Sequence, residues 1–584
     1  MKKWMILKKK ADFNEISRKY GISPITARVM RNRDIISDEE ITMYLNGTLE
    51  DLHNPFLLKD MNKAVDIISD AIVCNKKIRI VGDYDIDGVC SSTILYRAFK
   101  EFGAEVSCRL PDRISDGYGL NMKIIDEAYD DGVGLIVTCD NGIAAKNEIE
   151  HAKELGMNVV VTDHHEVPFE EEVDVRYEIL PSADAVVDPH RSDCTYPYKD
   201  ICGGMVAYKL ILAMDKMASE KGLHKLTPDT MDMLTDLAAF ATVGDIMPLK
   251  NENRVIVKHG LKNMGHTRIP GLSALIDVTE IDRNKISAYH IGFILGPCIN
   301  AIGRLDSANR ALELLMTDSY DEAVLIAKEL KAANDVRKSM TEKNVNSAVE
   351  IVEKTDGDHD YSKDTVLVIY LPDCHESIAG LVAGRIKERY YKPTFVITSA
   401  KDGAKGSGRS IEGYNMFEEM VKVGELFTKY GGHPMAAGLS ILPENIDELR
   451  RRLNENSALT EEELTEKLFI DIDMPINYVS KALIEDLNKL GPFGTGNPGP
   501  VFAQKDLQIL SRRASRAGNM AFFNLKSGQI GEMPERIIEG KYFGDATEVF
   551  SNLEGRTTIS VAYTPDINSY RGVETLQISI KEFY

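Results

Sequence analysis

The chain has 584 residues, of which 43% are hydrophobic and 28% charged, with a net charge of −21. That length exceeds one ordinary domain and suits about three or four. The composition is that of a globular protein, and no run approaches the roughly 18 apolar residues of a membrane span. An acidic chain repels phosphate backbones overall. That does not exclude a nucleic-acid enzyme, because a metal site built from aspartates adds negative charge that cations offset, and a basic channel can be local. The opening MKKWMILKKK has too short an apolar interior for a secretory leader. None of the eight cysteines forms a C-x-x-C pair. They are expected to be reduced and mostly buried, in a cytoplasmic protein, rather than to form a disulfide frame or a zinc site.

Residues 1–75 read as a polar, helical N-terminal region. KKIRIVGD (76–83) is a short β-rich run, followed by helix over about 89–102. AEVSCRLP (104–111), GLIVTCD (134–140), NVVVTDHH (158–165) and AVVDPH (185–190) are further strands with helices between. Strands alternating with helices predict a parallel, helix-covered sheet. From 203 to 355 the pattern is mostly helical, and 319–354 reads as one long connecting helix. TVLVIYLP (365–372) opens a second α/β unit that runs to about 456. ENSALTEEELTEK (455–467) is an exposed helix or linker. The tail holds short alternating runs such as QKDLQIL and RTTISVAYT, which suggest a small β-barrel.

The chemistry concentrates where strands end. Asp83, Asp85 and Asp87 lie in GDYDIDG, Asp140 in TCDNG, Asp163, His164 and His165 in TDHH, and Asp188 and His190 in VDPH. In an open α/β sheet, ligands bind beyond the carboxyl ends of the strands, so this topology would gather these groups at one edge. Asp245, in TVGDIMPL, could join them from the helical part. Residues two apart on an extended chain face one side, which would crowd three carboxylates together and call for a cation. Gly88 is expected to permit a tight turn into the following helix. Carboxylates with imidazoles and no cysteine favour manganese or magnesium. Two ions about 3.5–4 Å apart would suit phosphodiester hydrolysis. Taken singly, D-x-D-x-D could be a solvated loop, and a His after a strand could be merely hydrogen-bonded. A calcium loop fails because residue 93 is Thr. GTGNPG (494–499) fits a dinucleotide fingerprint only formally, since Pro498 interrupts it, and no G-x-x-x-x-G-K-[ST] is present.

In order, GDYDIDG, TCDNG, DHH and VDPH resemble the successive motifs of the DHH phosphoesterase superfamily. DRISDGYG (112–119), LAAFATVGDIMPL (237–249), GPCINAIGRLD (296–306), HESIAGLVAGRIKE, GSGRS, GGHPMAAG and GPFGTGNPGPVF narrow the resemblance to its single-strand-specific exonuclease branch, over about residues 50–510. Gly244 stands where that branch has alanine, and Cys298 where it often has arginine. The resemblance implies an α/β fold: a parallel-sheet DHH domain (76–318), a connecting helix (319–355), a smaller α/β DHH-associated domain (356–456) and a C-terminal OB-fold (457–584), after the N-terminal helical region 1–75. It implies metal ligation by Asp85, Asp87, Asp140, His164, His165 and Asp245, with Asp83 and Asp163 sharing or supporting that role, and His190 near the scissile phosphate. Arg113, Arg304, Ser407 and Arg409 would hold phosphates, including the 5′ end, and Tyr118 would stack on the terminal nucleotide. Arginine's fork and a glycine-flanked backbone suit that task. The glycines around His433 favour close approach to a ligand, the alternative being a buried, hydrogen-bonded histidine.

The implied activity is 5′→3′ hydrolysis of single-stranded DNA to 5′-mononucleotides in repair and recombination, by a monomer whose strand threads between the two α/β units. A helicase and a single-strand-binding protein would be its partners. Two readings compete: a DHH phosphodiesterase acting on cyclic dinucleotides or very short oligonucleotides, and a non-catalytic DNA-binding adaptor. An OB-fold tail favours the nuclease over the first, and the retained aspartates and histidines argue against the second.

Overall fold

The computed structural model describes residues 2–112, 117, 119–172, 175–305, 308–354, 359–570 and 572–584. Arg113 and Tyr118 lie outside the described residues, as does the side chain of Arg304. The chain divides into two compact units, one of Trp4–Pro297, Ala308–Ala327 and Leu468–Tyr584, the other of Met1–Lys3, Cys298–Ser307 and Lys328–Lys467.

The first unit is built on a five-stranded sheet in the order Val106–Arg109, Ile78–Val81, Leu135–Cys139, Asn158–Thr162, Ala185–Val187. Every pairing is parallel. In chain order this is 2-1-3-4-5, so the topology reverses beside the first strand, and a crevice opens there at the carboxyl ends. The three inner strands are rich in Val and Ile because both their faces are covered, whereas the edge strand Val106–Arg109 is half-buried. Val81, Ile136, Val159, Val161 and Val186 pack with Ile124, Ile125 and Ile149 of the helices Met122–Asp130 and Lys146–Glu154. The helices Ile86–Glu101, Gly203–Met217 and Pro228–Gly244 pack on one another, and the first two also pack on the sheet. The helix Met61–Val73 packs on Gly203–Met217 and on the last strand, so it belongs to this layer although it precedes the first strand. A hairpin of Phe169–Glu172 and Val175–Glu178 had no counterpart in the predicted elements.

The same unit holds a C-terminal barrel. Its strands run in the order Phe502–Ala514, Met520–Ser527, Arg536–Phe543, Val573–Phe583, Thr558–Tyr570, and the last pairs back onto the first. Arg536–Phe543 and Val573–Phe583 pair in parallel and the other barrel neighbours antiparallel. This is the closed five-stranded form of an OB-fold. The N-terminal helices Pro24–Asn32 and Asp38–Asn46 do not form a free arm. Their Ala27, Val29, Met30, Ile41 and Leu45 share one core with Ile484, Leu487, Phe502 and Val561 of the tail.

The second unit has a five-stranded sheet in the order Phe427–His433, Ala436–Ile441, Gly403–Arg409, Thr394–Ala400, Leu367–Tyr370. Alternate residues face opposite sides, as the period of a strand requires. Val368, Phe395 and Ile397 pack on Leu449 and Leu453, while Leu367, Ile369 and Val396 pack on Ile378, Val382 and Ile386. The predicted connecting helix is Tyr320–Glu353, and it passes from the first unit into the second at residue 328. After the helix Ile446–Asn456, residues 457–466 form irregular backbone and turn, the linker of the two readings offered for that segment.

Candidate metal centre and phosphate-binding residues

Asp83 follows the first strand in the loop that leads to the Ile86–Glu101 helix. Asp85 is that helix's N-cap, and its Oδ1 accepts from the N–H groups of Asp87 (2.9 Å) and Gly88 (3.2 Å). Asp87 is already in the first helical turn. The alternation along an extended chain was therefore the wrong mechanism. The carboxylates gather because one loop, one cap and one first turn converge, where the helix dipole also favours negative charge. Gly88 serves close approach rather than a turn, since a Cβ there would lie 2.4 Å from the carbonyl oxygen of Asp83.

Asp87 is held by two backbone donors, Gly203 N to Oδ2 at 2.6 Å and Gly204 N to Oδ1 at 2.8 Å, at the start of the Gly203–Met217 helix. Asp140 sits just past its strand with φ 61°, in the left-handed region that aspartate tolerates better than most residues. Asp163 ends the fourth strand and accepts from Ile143 N (2.9 Å), His164 N (2.7 Å) and His165 Nδ1 (2.7 Å). It orients the histidine pair rather than facing the cluster alone. Asp245 is the C-cap of the Pro228–Gly244 helix, so the helical part does deliver it to the sheet edge.

The groups converge on His164 Nε2, which lies 3.0 Å from Asp140 Oδ1, 3.5 Å from Asp87 Oδ2 and 3.9 Å from Asp245 Oδ2. Among the described residues, three sets of side chains bring ligand atoms within 4.8 Å of one another: Asp140, His164 and His165; Asp87, His164 and Asp245; Asp83, Asp85 and Asp140. The first set shares His164 with the second and Asp140 with the third, so the three overlap in one place, where neighbouring cations would be held.

The electrostatics fit cations. Burial, with Asp85 beside it, pushes Asp83 up to about 8. Burial, with Asp87 and Asp85, pushes Asp245 up to about 9. Burial and then Asp87 raise Asp85, and burial with Asp87, Asp85 and Asp83 raises Asp140 far above the carboxylate range. Asp163 goes the other way: burial opposes its charge, but the bond from His165 prevails and holds it low. His165 is correspondingly lifted to about 9 against its burial, while burial lowers His164 despite Asp87. A cluster of buried carboxylates that hold protons only for want of positive charge is a site for a divalent ion. Asp83 Oδ1 is buried with no hydrogen-bond partner among the described residues, a state that a cation would relieve.

Asp188 lies behind this shell. Its carboxylate is fully buried, receives His190 N at 2.7 Å, and is pushed up to about 8 by burial and Asp163. His190 Nδ1 is buried without a hydrogen bond among the described residues, 3.7 Å from Asp188 Oδ1. Reasoning from sequence missed Asn141, whose Nδ2 donates to Val81 O (3.0 Å) and Cys139 O (2.9 Å) and so ties the ends of two strands together. It also missed Gly203 and Gly204. The only available signal was a Gly-Gly pair opening a helix, which says nothing of its partner.

In the second unit Ser407 and Arg409 come together: Arg409 Nη1 donates to Ser407 Oγ at 3.2 Å and to Gly408 O at 2.7 Å. Burial lowers the Arg409 guanidinium. Both side chains lie under Gly380 of the Glu376–Tyr390 helix, where a Cβ would stand 2.8 Å from Arg409 Nη2 and 2.9 Å from Ser407 Oγ. His433 ends its strand exposed, so the buried, hydrogen-bonded alternative does not apply. Cys298 is buried and receives Asn334 Nδ2 at 3.4 Å, a core position rather than a surface one. The eight cysteines are free thiols, six of them buried.

Three family models match in the order of the fold: the DHH family N-terminal domain over residues 77–241, the DHHA1 domain over 363–458 and the RecJ OB domain over 470–582. With the sheet-edge cluster, these define a DHH phosphoesterase. The chain is 32% identical to the single-stranded-DNA-specific exonuclease RecJ of Escherichia coli over 96% of both proteins. It is 36% identical to that of Bacillus subtilis over 85% of this chain and 61% of the relative. A crystal structure of RecJ from Thermus thermophilus in complex with Mn2+ superposes with a TM-score of 0.82 at 25% identity, covering 100% of this chain and 79% of that one. The chain belongs to the RecJ family.

Proposed function

We propose that the chain is a single-stranded-DNA-specific 5′→3′ exonuclease that releases 5′-mononucleotides by two-metal-assisted phosphodiester hydrolysis. The observation that carries this is the convergence of three overlapping ligand sets at the switch point of the sheet. Asp83, Asp85, Asp87, Asp140, His164, His165 and Asp245 would hold two Mn2+ or Mg2+ ions. Such ions, when bound, acidify a water and stabilise charge on the leaving oxygen. Gly203 and Gly204 fix the Asp87 carboxylate through backbone donors, so it is presented in one orientation. Asp163 fixes the ring of His165 through Nδ1 and leaves Nε2 for ligation. His190, carried by the buried Asp188, supplies a ring for the scissile phosphate.

Arg409, Ser407, Arg304 and Arg113 would hold phosphates, with Tyr118 stacking on the terminal base and His433 on the substrate side. The closed barrel gives single-strand affinity by stacking and charge. The relatives named above are single-stranded-DNA-specific exonucleases, and solved RecJ structures hold Mn2+ and Mg2+. No helix among the described residues is long and apolar enough to cross a membrane. A cytoplasmic monomer supplied with strands by a helicase and a single-strand-binding protein, in repair and recombination, completes the reading.

The test is digestion of a 5′-phosphorylated single strand labelled at its 3′ end, with manganese, magnesium or chelator, beside the matching duplex and a cyclic dinucleotide. Metal-dependent shortening from the 5′ end with the duplex spared is the expected result. Cleavage of the cyclic dinucleotide alone would overturn it.

A further inference from the structure

Two aromatic rings stand in water on a turn that packs on the helix ending in Asp245. Tyr289 is 60% exposed and Phe293 63% exposed. Their centroids are 4.9 Å apart and the rings are inclined by only 25°, a stacked pair. They lie on a helical turn, Ala288–His290, that widens into a π-turn over Ile291–Leu295, closed by Gly296 N–H donating to Ile291 O. Such wide turns are uncommon and concentrate at functional sites.

This turn is fixed against the catalytic layer. Ile291 and Leu295 are fully buried, and the segment packs on the Pro228–Gly244 helix that ends in Asp245. A Cβ at Gly296 would lie 3.1 Å from Ile86 Cδ1, and one at Gly244 would lie 2.5 Å from the same atom. Ile86 stands between Asp85 and Asp87. The turn and Gly244, the residue before Asp245, therefore both adjoin the one apolar residue between two carboxylates of the centre. The next residue after Asp245, Ile246, is itself 70% exposed with φ 60°.

Fold stability does not explain the pair. Rings exposed by more than half bury little area, and Phe and Tyr are poor helix formers at solvent positions. His290 holds the turn by another route, its Nδ1 lying 2.9 Å from Ser287 Oγ. We infer that Tyr289 and Phe293 form a stacking platform for nucleobases of the single strand whose phosphodiester lies at the metal centre. A face of two nearly parallel rings, rigidly footed and open to water, matches the flat apolar face that every base offers and reads no sequence. The occupant is chosen by position: the turn that carries the rings packs on the helix ending in Asp245 and adjoins Ile86, so a strand engaged at the metal centre has a stacking surface on the same layer. This inference rests on the nuclease reading.

The experiment measures oligonucleotide binding to the full chain in chelator, where nothing is cut. The proteins are wild type, Tyr289→Leu/Phe293→Leu and Tyr289→Phe. The strands are intact or carry one abasic residue, scanned along the strand. Stacking worth about 1–3 kcal/mol per base predicts about a five- to hundredfold loss for the double leucine variant on intact strands. At one position, removing the base should weaken wild type but leave the leucine variant no weaker, while Tyr289→Phe binds as wild type. Loss by the leucine variant that is equal for intact and abasic strands at every position would overturn the platform, as would no loss at all. If wild type binds no single strand, the nuclease reading fails first and the platform with it. Binding by wild type with an unaffected leucine variant refutes the platform alone.

Discussion

Gly203→Ala probes the site through a residue that bears no functional group. The Gly203 N–H donates to Asp87 Oδ2 at 2.6 Å. A Cβ there would lie 2.7 Å from Asp140 Cβ, 3.0 Å from Asp140 Cα and 3.0 Å from Asp87 Oδ2. Two of these three atoms belong to Asp140, whose backbone is already left-handed at φ 61° and fixed between a strand end and Asn141. The methyl therefore cannot be accommodated by a side-chain rotation alone, and Asp140 or the helix start must shift. Overpacking of this kind costs about 1–3 kcal/mol of stability. Displacement of the support of a ligand lowers metal affinity by about 10–100-fold. The variant should melt lower and need that much more manganese for half-maximal cleavage, while its oligonucleotide binding in chelator stays near wild type. Calorimetric titration with manganese and cleavage against manganese concentration give the two numbers. A variant with unchanged metal dependence would falsify the claim that Gly203 positions Asp87 and Asp140 for a cation.

Asp140→Ala should abolish cleavage but largely spare binding of a single strand, and equal loss of both in gel-shift and digestion assays would count against a ligand role. The metal-free protein should lose stability as pH rises. The raised carboxylates, near 8 for Asp83 and about 9 for Asp245, bind protons in the folded state that the unfolded chain releases near 4, so their contribution is present in acid and lost through about pH 8–9. Manganese at a hundred times its Kd adds about 2.7 kcal/mol, and at a fixed concentration its effect on the melting temperature should be larger at about pH 8.5 than at about pH 6; an effect independent of pH contradicts the assignment. Lys209 and Glu252 form a fully buried pair, with Lys209 Nζ also donating to His53 O at 2.8 Å and Tyr196 donating to Glu252 at 2.6 Å. Lys209→Met strands the glutamate, and urea titration should register a loss of about 3–5 kcal/mol. Arg409→Lys keeps the charge but not the fork; the preference for 5′-phosphorylated over 5′-hydroxyl strands should fall, and an unchanged ratio removes Arg409 from phosphate recognition.

The sequence by itself determined the parallel sheet, because Val/Ile runs such as LIVTC and NVVVT separated by helical stretches have no other economical packing. It also pointed to where the cluster lies, since each of Asp83, Asp140, Asp163 and Asp188 follows a strand and topology alone sends strand ends to one edge. The long helix was legible from its unbroken polar periodicity. What only the tertiary structure decided were relations between residues far apart in the chain. The helix start at Asp85 overrode an extended reading of GDYDIDG, because a cap bond and a dipole are formed only once the helix exists. The donors from Gly203 and Gly204 come from more than a hundred residues away and use backbone N–H groups, which leave no side-chain signature. The N-terminal helices carry apolar faces that the sequence displays, yet their partner, the barrel at the other end of the chain, is set by packing. Local pattern fixes which residues are apolar or chemical, whereas packing fixes which of them meet.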